Sequence, residues 1–286
     1  MTAGSNRDDP LSLRGIAESV AQDAARHLRE FLADLAGSSG DVTESIAATA
    51  STKSSPTDPV TAADTAVESL IRDRLAELRP GDPILGEEHG GATSTDGIAW
   101  VVDPIDGTVN FLYGNPWYAV SVAAVRGGVT VAGAVVEPAT GRCWSAARGH
   151  GSTCDGWPLR VSRVDRPELA LVATGFAYRA DRRARQARFI ADLLPRVRDV
   201  RRAGSAALDL CSVAAGWCDA YLEHGTNWWD WAAAALVAEE AGAVVRTPDP
   251  TGAVPDDGLG DMLLAAPPTL AAALADLARD LGAGAV

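Results

Sequence analysis

The sequence predicts a mixed α/β fold in which helices pack on two sheets, the first largely antiparallel and the second mixed. Three observations predict it. Residues 11–36 place Leu13, Ile16, Ala17, Val20, Ala24, Leu28, Phe31, Leu32 and Leu35 at three-to-four spacing, which is one apolar face of a long helix. Two apolar runs, 118–125 and 129–136, flank Arg126-Gly127-Gly128 as the arms of a hairpin. From Leu169 onward, short apolar runs alternate with helical patterns.

Taken in order, residues 1–10 are polar and expected to fray, and 37–52 (GSSGDVTESIAATAST) are small and polar, expected as a mobile loop. Pro56 and Pro59 make the next segment extended. Thr61 then suits a helix N-cap, with Asp64 as the acid of a short capping box, and the helix runs to about Arg79 before Pro80-Gly81. A strand at 83–86 leads into Glu87-Glu88-His89 and a Gly/Ser/Thr loop over 90–97. The apolar run 98–102 reads as a buried strand ending at Asp103-Pro104. After the hairpin come strands at 143–147 and near 159–161, then 169–174. The second half continues with a helix at 181–194, a strand at 197–201, a helix at 205–215 and a strand at 218–222. A helix at 228–241, strands at 243–246 and 262–265, and a closing helix at 268–281 complete it. The chain reads as a single domain over 1–286, with an N-terminal α+β half (1–165) carrying the central turn and a C-terminal α/β half (166–286) completing the site.

Composition narrows the function. No apolar run approaches the roughly 18–20 residues of a membrane span, and the N-terminus lacks a basic-then-apolar leader. Cys143, Cys154, Cys211 and Cys218 show no CxxC spacing, so reduced thiols in a cytoplasmic protein are expected. A net charge of −13 argues against a nucleic-acid surface. The Arg-rich stretches 179–188 and 196–202 read as solvated helix faces. Walker A, G-x-S-x-G and H-E-x-x-H patterns are absent, which disfavours a P-loop kinase, a serine hydrolase and a zinc hydrolase. His89 and His224 are expected at the surface.

The chemistry concentrates at Trp100–Phe111 (WVVDPIDGTVNF). Pro104 and Gly107 turn the chain there, and the turn can bring the Asp103 and Asp106 carboxylates to one side. With the Ile105 carbonyl and the Thr108 hydroxyl they form a hard-oxygen donor set suited to Mg²⁺, and free N–H groups at Gly107 and Thr108 suit a phosphate. A structural Asp-Pro turn explains the segment equally well by itself. Glu87 and Asp230 likewise sit at a strand end and a helix start. If Glu87, Asp103, Asp106 and Asp230 converge, their repulsion demands protons or divalent cations. Two Mg²⁺ roughly 3.5–4 Å apart would relieve it and form a phosphoryl-transfer site.

These segments resemble the inositol monophosphatase family of Mg²⁺-dependent, lithium-sensitive phosphatases. The likeness runs from about Lys53 to Ala235, on W-V-V-D-P-I-D-G-T-V-N-F and W-D-W-A-A-A, with support from K-S-S-P-T-D-P-V-T-A-A-D, G-E-E and R-R-A-G-S-A-A-L-D-L. The resemblance implies a layered αβαβα sandwich, usually dimeric, with two or three Mg²⁺ per site. Glu87, Asp103 and the Ile105 carbonyl would bind one metal, and Asp103, Asp106 and Asp230 another. Glu87 and Thr108 would orient the attacking water, with Asp64 as partner of Thr108. Gly107 and Thr108 amides would hold the phosphate; Gly204, Ser205, Ala206 and Glu223 would line the alcohol pocket, with Arg201 nearby. The segments G-S-A-A-L-D-L and D-A-Y-L-E-H-G are similar to those of the inositol-phosphate branch, so inositol 1-phosphate is the expected substrate. Histidinol phosphate, a sugar bisphosphate or adenosine bisphosphate are the alternatives, as is a regulatory protein with secondary phosphatase activity. Trp228, bulky beside the substrate, and His89, where Ser is common, depart from the pattern and bear on specificity.

Overall fold

The computed structural model describes residues 7–39, 42–53, 58–94 and 96–286. Helix α1 (Pro10–Ser39) starts at once, capped by the Asp9 carboxylate, which accepts from the Ser12 N–H at 3.1 Å. Most of the frayed start expected over 1–10 therefore lies outside the described residues or in the helix itself. The expected loop 37–52 instead contains helix α2 (Val42–Thr49), because Ile46 is buried against α1 and its neighbours. One anchoring side chain outweighs a polar composition there. Two short strands, β1 (Ser51–Thr52) and β2 (Pro59–Val60), pair antiparallel; residues 54–57, expected to be extended, lie outside the described residues.

Helix α3 (Ala62–Leu78) carries the capping box read from the sequence: Thr61 and Asp64 exchange side-chain and backbone bonds. An eight-stranded sheet follows, built from β3 (Ile84–Gly86), β4 (Gly90–Gly91), β5 (Ile98–Asp106), β6 (Ala119–Arg126), β7 (Val129–Val136), β8 (Cys143–Ala147), β9 (Ser152–Cys154) and β10 (Trp157–Pro158), in the order β10-β9-β8-β7-β6-β5-β3-β4. It is antiparallel except for β3 beside β5. The strand expected near 159–161 is replaced by the β9–β10 hairpin, turned by Asp155-Gly156 with both residues at positive φ. Strand β5 does not stop at Asp103-Pro104. It runs to Asp106 with a register shift against β6 between Asp103 and Asp106, where Pro104 lacks a ladder donor. The turn comes at Gly107 (φ 96°), opening the short helix α4 (Thr108–Leu112).

The second half supplies β11 (Leu171–Thr174), α5 (Ala180–Leu193), β12 (Asp199–Arg201), α6 (Ala206–Ala214), β13 (Ala220–His224), α7 (Trp228–Glu240), β14 (Val244–Arg246), β15 (Met262–Ala266) and α8 (Pro268–Asp280). Its five-stranded sheet has the order β12-β11-β13-β15-β14 and is mixed. The layers are α1 and α3, the large sheet, α6 and α7, the small sheet, then α5 and α8: an αβαβα sandwich.

Strand parity sorts the side chains between layers. Ile98, Trp100 and Val102 of β5 face α1 and α3, while Ala99 and Val101 face α6 and α7. Both faces are covered, so β5 is apolar throughout rather than alternating. The middle layer is close-packed on small residues: a Cβ added to Gly133 of β7 would stand 2.9 Å from the Cα and Cβ of Ala233 in α7. Gly133→Val is therefore expected to destabilise the protein by about 1–3 kcal/mol through overpacking. A lowered urea midpoint checks this, and an unaltered midpoint would show that α7 can move off the sheet at no cost.

Candidate active site

A cavity of about 500 Å³ opens where the end of β5, the starts of α4, α6 and α7, and the end of β13 meet. Its lining includes Glu87, Asp103, Ile105, Asp106, Gly107, Thr108, Gly204, Ser205, Ala206, Glu223 and Asp230, residues from five separate stretches of chain. Local structure explains each position. Asp103 is buried at the β5 irregularity and accepts the Ile105 N–H at 3.0 Å. Asp106, at the strand end, accepts from the Ser205 hydroxyl and from the Ala207 N–H at 2.8 Å, so it also closes the start of α6. Asp230 stands in the first turn of α7 and accepts the Asn227 N–H at 2.6 Å. The helix-start role foreseen for it and its place in the cavity coexist.

Gly107 is irreplaceable on two counts. Its φ is left-handed, and a Cβ there would lie 3.1 Å from the carbonyl oxygens of both Gly204 and Trp117. Asn110 ties the same loops together by donating to the Trp117 carbonyl at 2.7 Å and the Ala203 carbonyl at 2.9 Å. Asp64 lies behind the lining. Its carboxylate accepts from the Thr61 N–H at 2.8 Å and from the Thr108 hydroxyl at 3.3 Å, while the Ile105 carbonyl also lies 3.0 Å from that hydroxyl.

The electrostatics are those of crowded acids. Burial, then Glu87, Asp106 and Asp230, push the Asp103 carboxyl well above the usual range. Burial, then Glu87 and Asp106, do the same to Asp230. Asp106 is pushed up to about 6 by burial, against the pull of its Ser205 and Ala207 bonds. Asp64 reaches about 6 through burial, and Glu223 about 7 through burial, with the Tyr221 hydroxyl bonded to it at 2.7 Å. Each prefers a proton or a cation to bare charge. Lys53 supplies part of that charge, its ammonium 2.8 Å from Glu87 and 2.6 Å from Glu88. Among the described residues, no three His, Cys, Asp or Glu side chains are drawn together as a ready-made metal cage; the acids share the cavity walls, as mutually repelling carboxylates do.

Several expectations shift by one residue or fail. Arg201 points away, paired with Asp199 at 2.6 Å, and Arg202 lines the cavity instead. Trp228 packs against the inner core near Trp231, so it does not narrow the pocket; Trp229 lines it. Arg182, within a stretch read as a solvated helix face, lines the cavity and pairs with Asp261 at 2.5 Å. Lys53 and Tyr178 also line it, and nothing in their spacing marked them out. His89 is partly exposed beside Glu68, as expected of a surface residue, but His224 is 3% exposed, edge-on to Phe189.

Burial lowers the His224 pKa to about 4, with Arg182 lowering and Asp261 raising it. The unfolded chain binds this proton below about 6.5 while the folded one does not, so the contribution to stability is lost as pH falls from about 6.5 to about 4. His224→Gln is expected to flatten the acid side of the stability–pH curve by roughly 2–3 kcal/mol; parallel curves for both proteins in chemical denaturation would contradict it.

Among the described residues, no helix is long and apolar enough to cross a membrane. Comparison with known proteins gives one family: residues 12–283 match the model described as the inositol monophosphatase family. The "Inositol-1-monophosphatase" of Mycobacterium leprae is 53% identical over 281 residues, covering 95% of this chain and 95% of its own. The "Nus factor SuhB" of Salmonella typhimurium is 38% identical over 226 residues, covering 78% and 84%. The solved Mycobacterium tuberculosis SuhB superposes with a TM-score of 0.79 at 43% identity, covering 96% of this chain and 99% of that one.

Proposed function

Since the chain belongs to the inositol monophosphatase family and is a phosphatase, we propose that it hydrolyses inositol 1-phosphate to inositol and phosphate with Mg²⁺ as cofactor. One observation carries the reading: Glu87, the Asp103/Asp106 pair and Asp230, from three separate stretches of the sequence, line one cavity, and burial and mutual repulsion raise the proton affinity of Asp103, Asp106 and Asp230. The donor set is all hard oxygen, which fits Mg²⁺. Glu87, Asp103 and the Ile105 carbonyl would hold one ion, and Asp103, Asp106 and Asp230 a second; a third is compatible with the family resemblance. When bound, Mg²⁺ supplies Lewis acidity to the attacking water and to the leaving oxygen.

The remaining work falls to the chain itself. The Thr108 hydroxyl, held by Asp64 and the Ile105 carbonyl, accepts a hydrogen bond from the attacking water and passes proton character to Asp64. Glu87, also in the cavity lining, orients the same water. The Gly107 and Thr108 amides, at the start of α4, receive phosphate oxygens. Gly204, Ser205 and Ala206 shape the alcohol pocket, and Glu223 on the cavity wall accepts hydrogen bonds from ring hydroxyls. Arg202, rather than Arg201, supplies the nearby cation.

A kcat/KM panel with Mg²⁺ tests the substrate. Inositol 1-phosphate is expected to exceed histidinol phosphate, fructose bisphosphate and adenosine bisphosphate by at least about tenfold, or roughly 1.4 kcal/mol of discrimination. A different leader would reassign the substrate and leave the chemistry in place. The name Nus factor carried by enterobacterial relatives favours a second role as a regulatory or binding protein. A partner retained by Asp103→Asn protein would establish it. The protein is proposed to be a cytoplasmic homodimer, for which light scattering of the purified chain is the check on assembly.

A further inference from the structure

Glu68 has no part in the cavity lining, yet it is a fully buried carboxylate on α3. An uncompensated charge there would be costly, and its partners identify what it does. Its oxygens accept the Glu88 N–H at 2.6 Å and the His89 N–H at 3.2 Å, and the His89 Nδ1 lies 3.1 Å away. Arg72, one turn on, donates to Glu68 at 2.8 Å and to the Gly90 carbonyl at 2.5 Å. A Cβ at Gly86 would collide with the Glu68 carboxylate, so only glycine lets the strand end approach it. The turn around Glu87 is thus held by one side chain, whose carboxylate is the anion and whose donors include two consecutive backbone amides.

We propose that Glu68, aided by Arg72, is the positioning residue for Glu87: it fixes the 86–90 backbone so that the Glu87 carboxylate is presented to the cavity. The assignment rests on the reading of Glu87 as a metal ligand. Asp64 and Glu68 lie four residues apart on the same buried face of α3, so one helix aligns the Thr108 partner and the Glu87 turn together. Loss of an outer contact of this kind weakens metal binding by roughly 10–100-fold.

The test uses Glu68→Gln and Gly86→Ala in the full chain. The first places an amide donor among donors, and the second pushes the carboxylate away while keeping its charge, so it carries the test if the first variant is unstable. Both are expected to raise the Mg²⁺ half-saturation of activity and of the Mg²⁺-induced melting shift at least about tenfold, within that range for outer contacts. At saturating Mg²⁺, kcat is expected to recover to within a few-fold of the parent while hydrogen exchange at the Glu88 and His89 amides is faster. A purely structural Glu68 would lower the melting temperature and leave Mg²⁺ half-saturation where it was, which overturns the proposal; so would undiminished protection of those two amides. Glu87→Gln in the same series separates the two failures. If it leaves Mg²⁺ half-saturation unaltered, the ligand reading of Glu87 fails and the proposal with it. If it raises half-saturation while Glu68→Gln and Gly86→Ala do not, only the positioning role is overturned.

Discussion

Asp103→Asn is expected to lower kcat by at least about 10³-fold, roughly 4 kcal/mol of barrier, while the metal-free protein melts at a higher temperature than the parent at neutral pH. The two effects have one origin. Asp103 is buried, and burial together with Glu87, Asp106 and Asp230 makes its ionised form unfavourable. Asparagine is isosteric, keeps an oxygen for the Ile105 N–H and removes the charge, so the empty fold relaxes. The same charge is the one proposed to be shared by both cations, so the site loses its bridge. Steady-state kinetics and thermal melts without added metal read both. Retention of more than a tenth of parental kcat would remove Asp103 from the bridging position.

Stripping divalent cations with excess chelator is expected to reduce activity to background, with recovery on adding Mg²⁺ and inhibition by Li⁺. Its stability counterpart depends on pH, and the sign follows from the raised carboxyls. Asp106 titrates near 6 when folded and near 4 when unfolded. Between those values the folded chain binds the extra proton, so this contribution to stability falls as pH rises from about 4 to about 6 and stays lost above. Asp103 and Asp230 shift in the same direction. His224 acts oppositely between about 6.5 and 4, so absolute melting temperatures mix the two effects. The Mg²⁺-induced shift isolates the acids, since cations replace their protons. It is expected to be larger at pH 7.5 than at pH 5.5, by differential scanning fluorimetry. An equal shift at both values, or activity persisting in chelator, would contradict the carboxylate reading.

What the sequence made legible is what depends on spacing. The period of α1, the Thr61–Asp64 box, the 118–136 hairpin and the buried run 98–102 all follow from local patterns, and the structure contains each, although the last continues to Asp106 instead of ending at Asp103-Pro104. What depends on packing was hidden. Helix α2 hangs on buried Ile46 within a polar stretch. Arg201 and Arg202, or Trp228 and Trp229, are neighbours whose directions differ by the half-turn of a strand or the 100° step of a helix, and a one-residue error moves a side chain out of the cavity. His224 reads as a surface position, and Glu68 draws no notice, because a buried imidazole or charge reveals itself only through partners far along the chain.

The Asp64 carboxylate divides its two oxygens between tasks: one accepts from Thr61 at the head of α3, the other from the Thr108 hydroxyl. An amide in its place, with its oxygen toward Thr61, keeps the head of α3 and donates its NH2 to the Thr108 hydroxyl, which then gives its own proton to the Ile105 carbonyl 3.0 Å away. What is lost is only the acceptor for the Thr108 proton. A catalytically silent yet undamaged protein, of the kind needed to trap bound substrate, is therefore to be sought in Asp64→Asn.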